Sequence, residues 1–234
     1  MTDETYNYLV GFLGRPPEKF DFVFNSNDKV ISFNDITPLE LLQKTKFKPS
    51  EYVVIINDPR KTHPYYKYYQ LEYMGNVYDR HVGWLNLPID RLIELTKQTI
   101  DDNQPVWFGC DVGTQFDREN GIMHTNLFDY NRFFDYENKM NKEERLSYYL
   151  SLPNHAMLIT GYHEKNIEIK RWKIENSWGK NSGNNGYLLM TNDWFKEYVY
   201  QVIIHKSRLN SMELSILDTK PCLIPPWDPL GTLA

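Results

Sequence analysis

The residues of this sequence that could do chemistry together lie in two neighbouring segments of its last third. His155 opens an apolar run, and Asn176 follows the next strand-like run, 21 residues after the histidine. If the two runs are paired β-strands, the short connection between them brings the two side chains together. An asparagine carbonyl can then accept the imidazole N–H, which fixes the ring tautomer and turns the other ring nitrogen towards a nucleophile. The spacing therefore predicts a His–Asn pair that activates a nucleophile, whereas either residue alone is more typical of a strand edge or a turn.

Trp178 is predicted to support this pair. It lies two positions after Asn176, where an indole ring could shield the His–Asn hydrogen bond from water. Gly179, Gly183 and Gly186 follow, and they permit a tight loop before the next strand.

Neither cysteine of the chain is predicted to be the nucleophile. Cys110 is the only cysteine before His155, and the residues around it alternate like a β-strand. A reactive cysteine thiolate usually gains its acidity at the N-terminus of a helix. We therefore interpret Cys110 as a buried packing residue, and Cys222, which lies beyond Asn176, is placed still less suitably. Two cysteines are too few for a disulfide framework, which indicates a reducing compartment and a cytoplasmic protein.

The composition argues against several other classes of function. The 234 residues are 41 % hydrophobic and 24 % charged with a net charge of −5, as in an ordinary globular protein without a basic face for nucleic acid. No run of about 18 apolar residues occurs, so no membrane span is predicted. Neither a metal site nor a cofactor is expected. The remaining histidines show no metal-ligand spacing relative to one another or to the cysteines. These histidines are His63, His81, His124, His163 and His205.

The order of the predicted elements indicates an α+β protein. Helical spacing and capping signals favour short helices over 6–13, after Thr37, after Pro88 and over 141–150. A hairpin is predicted over 20–33 with a four-residue turn at 25–28, and strands are predicted over 52–56, within 65–73 and over 105–110. Four closely spaced strands are predicted over 156–162, 167–174, 186–190 and 199–205, with a short helix capped by Asn192 before the last one. The proline-rich tail from Pro221 is predicted to be irregular.

Several segments resemble the bleomycin hydrolase and aminopeptidase C family of papain-like cysteine peptidases. They are ITPLE (36–40), NDPR (57–60), VWFGCDVG (106–113), ENSWG (175–179), MTNDWFKEYVY (190–200) and PPWDPLGTLA (225–234). They occur in the order of that family and extend over essentially the whole chain. The resemblance implies an α+β papain-like fold, mainly the lobe on the β-barrel side with helical insertions. It also implies that residues 1–234 form one partial peptidase domain without the N-terminal helical lobe.

The resemblance also implies a role for each candidate residue. In that family a cysteine thiolate attacks the peptide carbonyl, and here His155 matches the general base and acid while Asn176 matches the residue that orients it. The family's cysteine lies far upstream in the helical half, so the chain alone is predicted to be inactive. The family's C-terminal tail lies in the active-site cleft and limits cleavage to N-terminal residues. Here that role falls to about 221–234, ending in Leu233 and Ala234.

Two functions stay open at this point. The first is a cysteine aminopeptidase that acts on peptides with a free N-terminus and needs a cysteine-bearing N-terminal half, attached or supplied by another chain. The second is a non-catalytic remnant of the family that binds peptides or a partner, including further copies of itself. A third interpretation is a decaying remnant that folds poorly, because removal of half of a two-lobed enzyme exposes the interface between the lobes.

Overall fold

The computed structural model describes residues 2–26, 28–72, 82–134 and 140–233. The chain divides into two compact units, Met1–Pro49 and Ser50–Ala234. Tyr73, His81 and Ala234, which entered the sequence predictions, lie outside the described residues. The described ranges contain no helix that is both long and apolar enough to cross a membrane.

Within its described residues, the first unit contains two helices and a two-stranded antiparallel sheet. Its elements are α1 (Thr2–Leu13), β1 (Phe20–Ser26), β2 (Lys29–Ile36) and α2 (Pro38–Thr45). Helix α1 ends where the sequence predicts, because Gly14 takes a φ of +80° and its N–H donates to the Val10 carbonyl at 3.0 Å. Helix α2 begins with the predicted capping box, in which Thr37 and Glu40 each accept from the other's backbone N–H.

The predicted four-residue hairpin turn in this unit is wrong. Pairing continues past Asn25 to the Ser26–Lys29 pair, so only residues 27 and 28 connect the two strands. Asp28 takes a φ of +61°, the conformation that such a short connection requires.

The second unit contains eleven strands, five helices and short 3-10 segments within its described residues. Its strands are β3 (Tyr52–Ile56), β4 (Lys67–Leu71), β5 (Gly83–Asn86), β6 (Val106–Cys110), β7 (Phe116–Asp117), β8 (Ile122–Met123), β9 (His155–Lys165), β10 (Glu168–Glu175), β11 (Tyr187–Thr191), β12 (Val199–His205) and β13 (Cys222–Ile224). Its helices are α3 (Ile89–Asp101), α4 (Tyr130–Phe134), α5 (Lys142–Ser147), α6 (Asn192–Tyr198) and α7 (Ser211–Leu217). The 3-10 segments are Pro49–Glu51, at the boundary of the two units, Lys206–Arg208 and Pro229–Leu233.

All eleven strands form one sheet in the order β13-β4-β5-β3-β12-β6-β9-β10-β11-β8-β7. The pairs β3–β5, β4–β13 and β8–β11 are parallel, and the other neighbours are antiparallel. The two strands that carry the candidate site, β9 and β10, are adjacent and antiparallel as predicted.

Large aromatic rings fill the core of the second unit. Trp84, Trp172, Trp194, Phe108 and Phe195 are almost completely buried. Each ring of this size removes roughly 150–250 Å² from water, so these side chains contribute strongly to the burial that stabilises the sheet. Aliphatic side chains on alternate positions of β9 and β10 complete the packing around them.

Two predictions in this unit are corrected by the structure. Helix α6 is capped by Thr191, because the Asn192 side chain instead accepts a hydrogen bond from the buried Trp172 indole at 3.1 Å. The tail is not irregular, since Cys222–Ile224 adds a parallel strand to β4 and Pro229–Leu233 forms a 3-10 helix. Strand β5 and helix α7 were not predicted, because each is short and its apolar pattern is ambiguous.

Candidate active site

His155 and Asn176 lie at the same end of two adjacent strands. His155 is the first residue of β9, and Asn176 directly follows the last residue of β10. The two strands are antiparallel, so the start of one meets the end of the other. The Nε2 atom of His155 is 3.0 Å from Oδ1 of Asn176, within the predicted hydrogen-bond range. The predicted geometry of the pair is therefore confirmed.

The contacts of Asn176 fix the tautomer of the histidine. Oδ1 of Asn176 also accepts the backbone N–H of Ser177 at 2.8 Å. A backbone N–H can only donate, so the atom that faces it must be the amide oxygen. His155 Nε2 must then be the donor to that same oxygen, which leaves Nδ1 of the neutral ring with its lone pair. Within the described part of the chain Nδ1 has no hydrogen-bond partner, so it is the nitrogen that can accept a proton.

Trp178 lies against the histidine. The ring centroids of His155 and Trp178 are 5.0 Å apart, with an angle of 30° between the ring planes. Phe116 approaches the same indole at 6.0 Å, and the Arg118 guanidinium carbon lies 4.5 Å from the indole centroid. These contacts place apolar ring surface beside the imidazole, as the predicted shielding role of Trp178 requires, and that role stays a prediction. Arg118 was missed by the sequence reasoning, because an isolated arginine in a loop carries no spacing signal.

Cys110 lies near the histidine in the sheet but is unsuited to nucleophilic attack. It is the last residue of β6 and pairs with His155 across the antiparallel β6–β9 ladder. Its side chain is completely buried, as predicted, and no hydrogen bond joins its thiol to His155 among the described residues. Burial, with a smaller effect of the neighbouring Asp111 carboxylate, raises the pKa of the Cys110 thiol well above its usual value. Burial and the raised pKa both disfavour the thiolate form that a nucleophilic cysteine requires.

The C-terminal tail reaches the segment just before the strand that carries His155. The Thr232 hydroxyl donates to the carbonyl of Pro153, which lies two residues before the histidine. Leu230 is buried, and its carbonyl accepts a hydrogen bond from the Gln201 side chain. The backbone of Leu233 belongs to the last 3-10 helix, whereas Ala234 is outside the described residues.

A buried ion cluster holds the tail in this position. The Arg60 guanidinium donates to both oxygens of Asp228 at 2.9 Å and to Asp58 Oδ2 at 2.8 Å. Burial opposes the charge of Arg60, but the two carboxylates outweigh it and keep the pKa of the guanidinium above its usual value. Sequence reasoning quoted both segments, NDPR and PPWDPLGTLA, without assigning this contact, because a pairing over 168 positions leaves no local signal.

A second cluster lies immediately beside His155. Asn154 and Asp111 extend past the paired ends of β9 and β6, and their side chains hydrogen-bond to each other at 2.8 Å. No group of three His, Cys, Asp or Glu side chains arranged to hold a metal ion occurs in the ranges that the structure describes.

Comparisons with known proteins identify the family to which the chain belongs. The sequence profile of the Peptidase C1-like family matches residues 1–231. Aminopeptidase C of Listeria innocua is 38 % identical over 237 residues, which cover all of this chain and 54 % of that protein. Bleomycin hydrolase of Homo sapiens is 39 % identical over 243 residues, which cover all of this chain and 53 % of that protein.

A solved structure shows the same fold. PepW from Lactobacillus rhamnosis superposes on 98 % of this chain with a TM-score of 0.93 at 37 % sequence identity, and the match covers 53 % of the PepW chain. The α+β papain-like fold predicted from the sequence is thereby confirmed. The chain spans about half the length of the curated relatives it matches. With its sequence and its fold both matched over nearly every residue, the chain belongs to the Peptidase C1-like family.

Proposed function

We propose that this chain provides the general base and its orienting residue, His155 and Asn176, to a cysteine-type aminopeptidase. The observation that carries the proposal is the 3.0 Å hydrogen bond from His155 Nε2 to Asn176 Oδ1. It leaves Nδ1 free to take the proton from a thiol and so to produce a thiolate. The names of two relatives, Aminopeptidase C and bleomycin hydrolase, support peptide hydrolysis as the reaction.

The proposed reaction proceeds through an acyl-enzyme. His155 Nδ1 takes the thiol proton, and the thiolate sulfur forms a bond to the scissile carbonyl carbon. The imidazolium then returns that proton to the leaving amine as the C–N bond breaks. In the second half, His155 takes a proton from water, the hydroxide oxygen replaces the sulfur on the carbonyl carbon, and the thiol is regenerated. Asn176 keeps the ring in one tautomer and orientation throughout, and Trp178 keeps water away from the bond that does so.

The nucleophile in this proposal is a cysteine other than Cys110 and Cys222. Cys110 is excluded by its complete burial and its raised pKa. Cys222 is exposed, but it lies on the edge strand β13, which five strands separate from β9 in the sheet order. A cysteine-bearing segment, on the same polypeptide or on another chain, therefore completes the site.

The tail is proposed to restrict cleavage to the N-terminal end of a peptide. The support is the route of residues 221–233, which the Arg60–Asp228 ion pair and the Thr232–Pro153 hydrogen bond direct towards the start of β9. A carboxylate at Ala234 on such a tail would attract the ammonium group of a substrate and exclude longer binding modes. The substrates in this proposal are peptides with a free N-terminus.

Complementation tests the proposed activity. The chain would be co-expressed with the part of Listeria innocua aminopeptidase C that it does not match, and hydrolysis of an aminoacyl fluorogenic amide would be measured. The chain alone should show no thiol-dependent hydrolysis, and the co-expressed pair should be active. In the active pair, His155→Ala should lose more than about 10³-fold in kcat/KM, because it removes the general acid–base group. Asn176→Ala should lose about 10²-fold or more, because the imidazole remains but is no longer oriented.

Two outcomes would contradict the proposal. One is activity of the co-expressed pair that survives His155→Ala. The other is a stable complex that binds peptides but hydrolyses none, which would favour the non-catalytic binding protein. Truncation after Gly231 in an active pair tests the tail, since it should admit peptides with a blocked N-terminus while hydrolysis of free aminoacyl substrates continues.

A further inference from the structure

The backbone pairing that holds His155 ends at that residue. In the β6–β9 ladder, Cys110 lies opposite His155, and these two residues form the last pair at this end. One further backbone bond follows, from the Asn154 N–H to the Cys110 carbonyl at 2.9 Å. A residue at the end of a ladder frays more easily than one inside it, so a catalytic side chain at this position needs additional restraint.

The side chain of Asn154 supplies part of that restraint. Its Oδ1 accepts the backbone N–H of Val112 at 3.0 Å, and its Nδ2 donates to Oδ1 of Asp111 at 2.8 Å. The two contacts assign the amide orientation consistently, because one partner can only donate and the other accepts. Asn154 therefore joins the start of β9 to the segment that follows β6.

Asp111 fastens this contact to the core. Its side chain is buried, and its Oδ2 accepts the Thr114 hydroxyl at 2.9 Å while Oδ1 also accepts the Gly113 N–H at 3.3 Å. Its own N–H donates to the Tyr198 carbonyl at 3.0 Å, and the Thr114 carbonyl accepts the indole N–H of the fully buried Trp194. Both carboxylate oxygens thus have donors, as a buried carboxylate requires.

We propose that Asp111 and Asn154 are positioning residues for His155, acting as a clamp that fixes the start of β9 and thereby the direction of the imidazole. Asn176 and Trp178 contact the ring itself, whereas the clamp holds the backbone from which the ring projects. Neither clamp residue contacts the reacting atoms in this inference. The inference rests on the proposed catalytic role of His155, because only a catalytic ring requires this restraint.

The hydrogen bond between His155 and Asn176 reports on the clamp without any need for activity. In the chain labelled with ¹⁵N-histidine, the Nε2 proton of His155 would be identified by its absence in His155→Gln. Its exchange rate with water would be measured by NMR, and folding would be checked by thermal melting. A looser start of β9 lengthens or interrupts this bond and exposes the proton to exchange.

Four variants separate positioning from general stability. Asn154→Asp keeps the oxygen that accepts the Val112 N–H but places a carboxylate oxygen against the Asp111 carboxylate. Exchange of the His155 Nε2 proton should then become about tenfold faster, as expected for the loss of about one net hydrogen bond. The double variant Asp111→Asn with Asn154→Asp restores a donor–acceptor pair and should return the rate to within about threefold of the original. Thr114→Val removes one donor from Asp111 and should give an intermediate rate. The control is Asn210→Asp, the same substitution at the cap of α7, where only the acceptor oxygen is used, and it should leave the rate unchanged.

The outcomes decide the inference. An unchanged rate in folded Asn154→Asp, or no recovery in the double variant, overturns it. An increase in the control equal to that in Asn154→Asp also overturns it, because the effect would then be global. If Asn154→Asp does not fold, the exchange rate is measured in Thr114→Val instead, and an unchanged rate in that variant overturns the inference. Absence of hydrolysis by the co-expressed pair, with the exchange rates as expected, would refute the proposed function and leave the clamp standing.

Discussion

Substitution of Asp228 by asparagine should detach the C-terminal tail while the sheet stays folded. The Arg60 guanidinium donates to both oxygens of this carboxylate at 2.9 Å, and the side chains of Arg60 and Asp228 are 11 % and 5 % exposed. Asparagine keeps the shape of the side chain but removes its charge and sets an N–H₂ group against a donor. Oδ1 of Asp228 also accepts the backbone N–H of Leu230 at 3.0 Å, so the carboxylate joins Arg60 to the turn that leads to the end of the chain.

The size of the effect follows from what remains paired. In Asp228→Asn, Arg60 still binds Asp58, so the loss is that of a hydrogen bond to a charged group, about 1.5–3 kcal/mol. In Arg60→Met, two buried carboxylates lose their shared cation, and breaking a buried pair in this way costs about 3–5 kcal/mol. The double variant should cost less than the sum of the two single variants, because the two side chains interact directly.

Two measurements check this prediction. Urea unfolding gives the change in the free energy of unfolding, and hydrogen exchange gives the protection of the Leu230 and Gly231 amides. Protection should fall in the tail of Asp228→Asn and persist in β6, β9 and β12. The matched control is Asp102→Asn, which removes an aspartate from Arg208 at 2.7 Å but at a site where the aspartate is 64 % exposed. Its cost should be below about 1 kcal/mol.

An equal cost for Asp228→Asn and Asp102→Asn would refute the reasoning, since burial would then make no difference. Unchanged amide protection at Leu230 in Asp228→Asn would refute the specific role of the ion pair in holding the tail.

Three further predictions concern the rest of the molecule. Burial lowers the pKa of Lys142 to about 7 from 10.5, so the unfolded chain binds more protons than the folded chain between these two pH values. The free energy of unfolding should therefore rise with pH over this range, compared with Lys142→Met. Parallel pH profiles for the two proteins would contradict this prediction. Iodoacetamide should modify the exposed Cys222 and spare the buried Cys110 in the folded protein at neutral pH, so rapid modification of Cys110 would show that the folded site opens. The first unit exposes large apolar side chains, namely Tyr8, Phe12, Leu13, Val23, Val30 and Leu39. Small-angle scattering should therefore detect self-association, or an apolar dye should bind. A monodisperse monomer that binds no dye would contradict this prediction.

The sequence alone determined the pair at the centre of the candidate site. His155 and Asn176 could be identified because each lies at the end of a strand-like run, and a short connection makes the two runs neighbours in a sheet. The capping boxes at Thr37 and Asn141 were also readable, since a cap depends on side chains three positions apart. In each case the interacting residues lie close together in the sequence, so a local pattern of residue types was enough to predict the contact.

The tertiary structure decided what surrounds that pair. The clamp joins Asp111 to Asn154 over 43 positions, and the tail anchor joins Arg60 to Asp228 over 168 positions. Polar residues at strand ends and in loops are usually solvated, so nothing in the sequence distinguishes these four from the others. Burial makes the difference, because a carboxylate out of water must find donors, and only the order of strands in the sheet brings those donors to it.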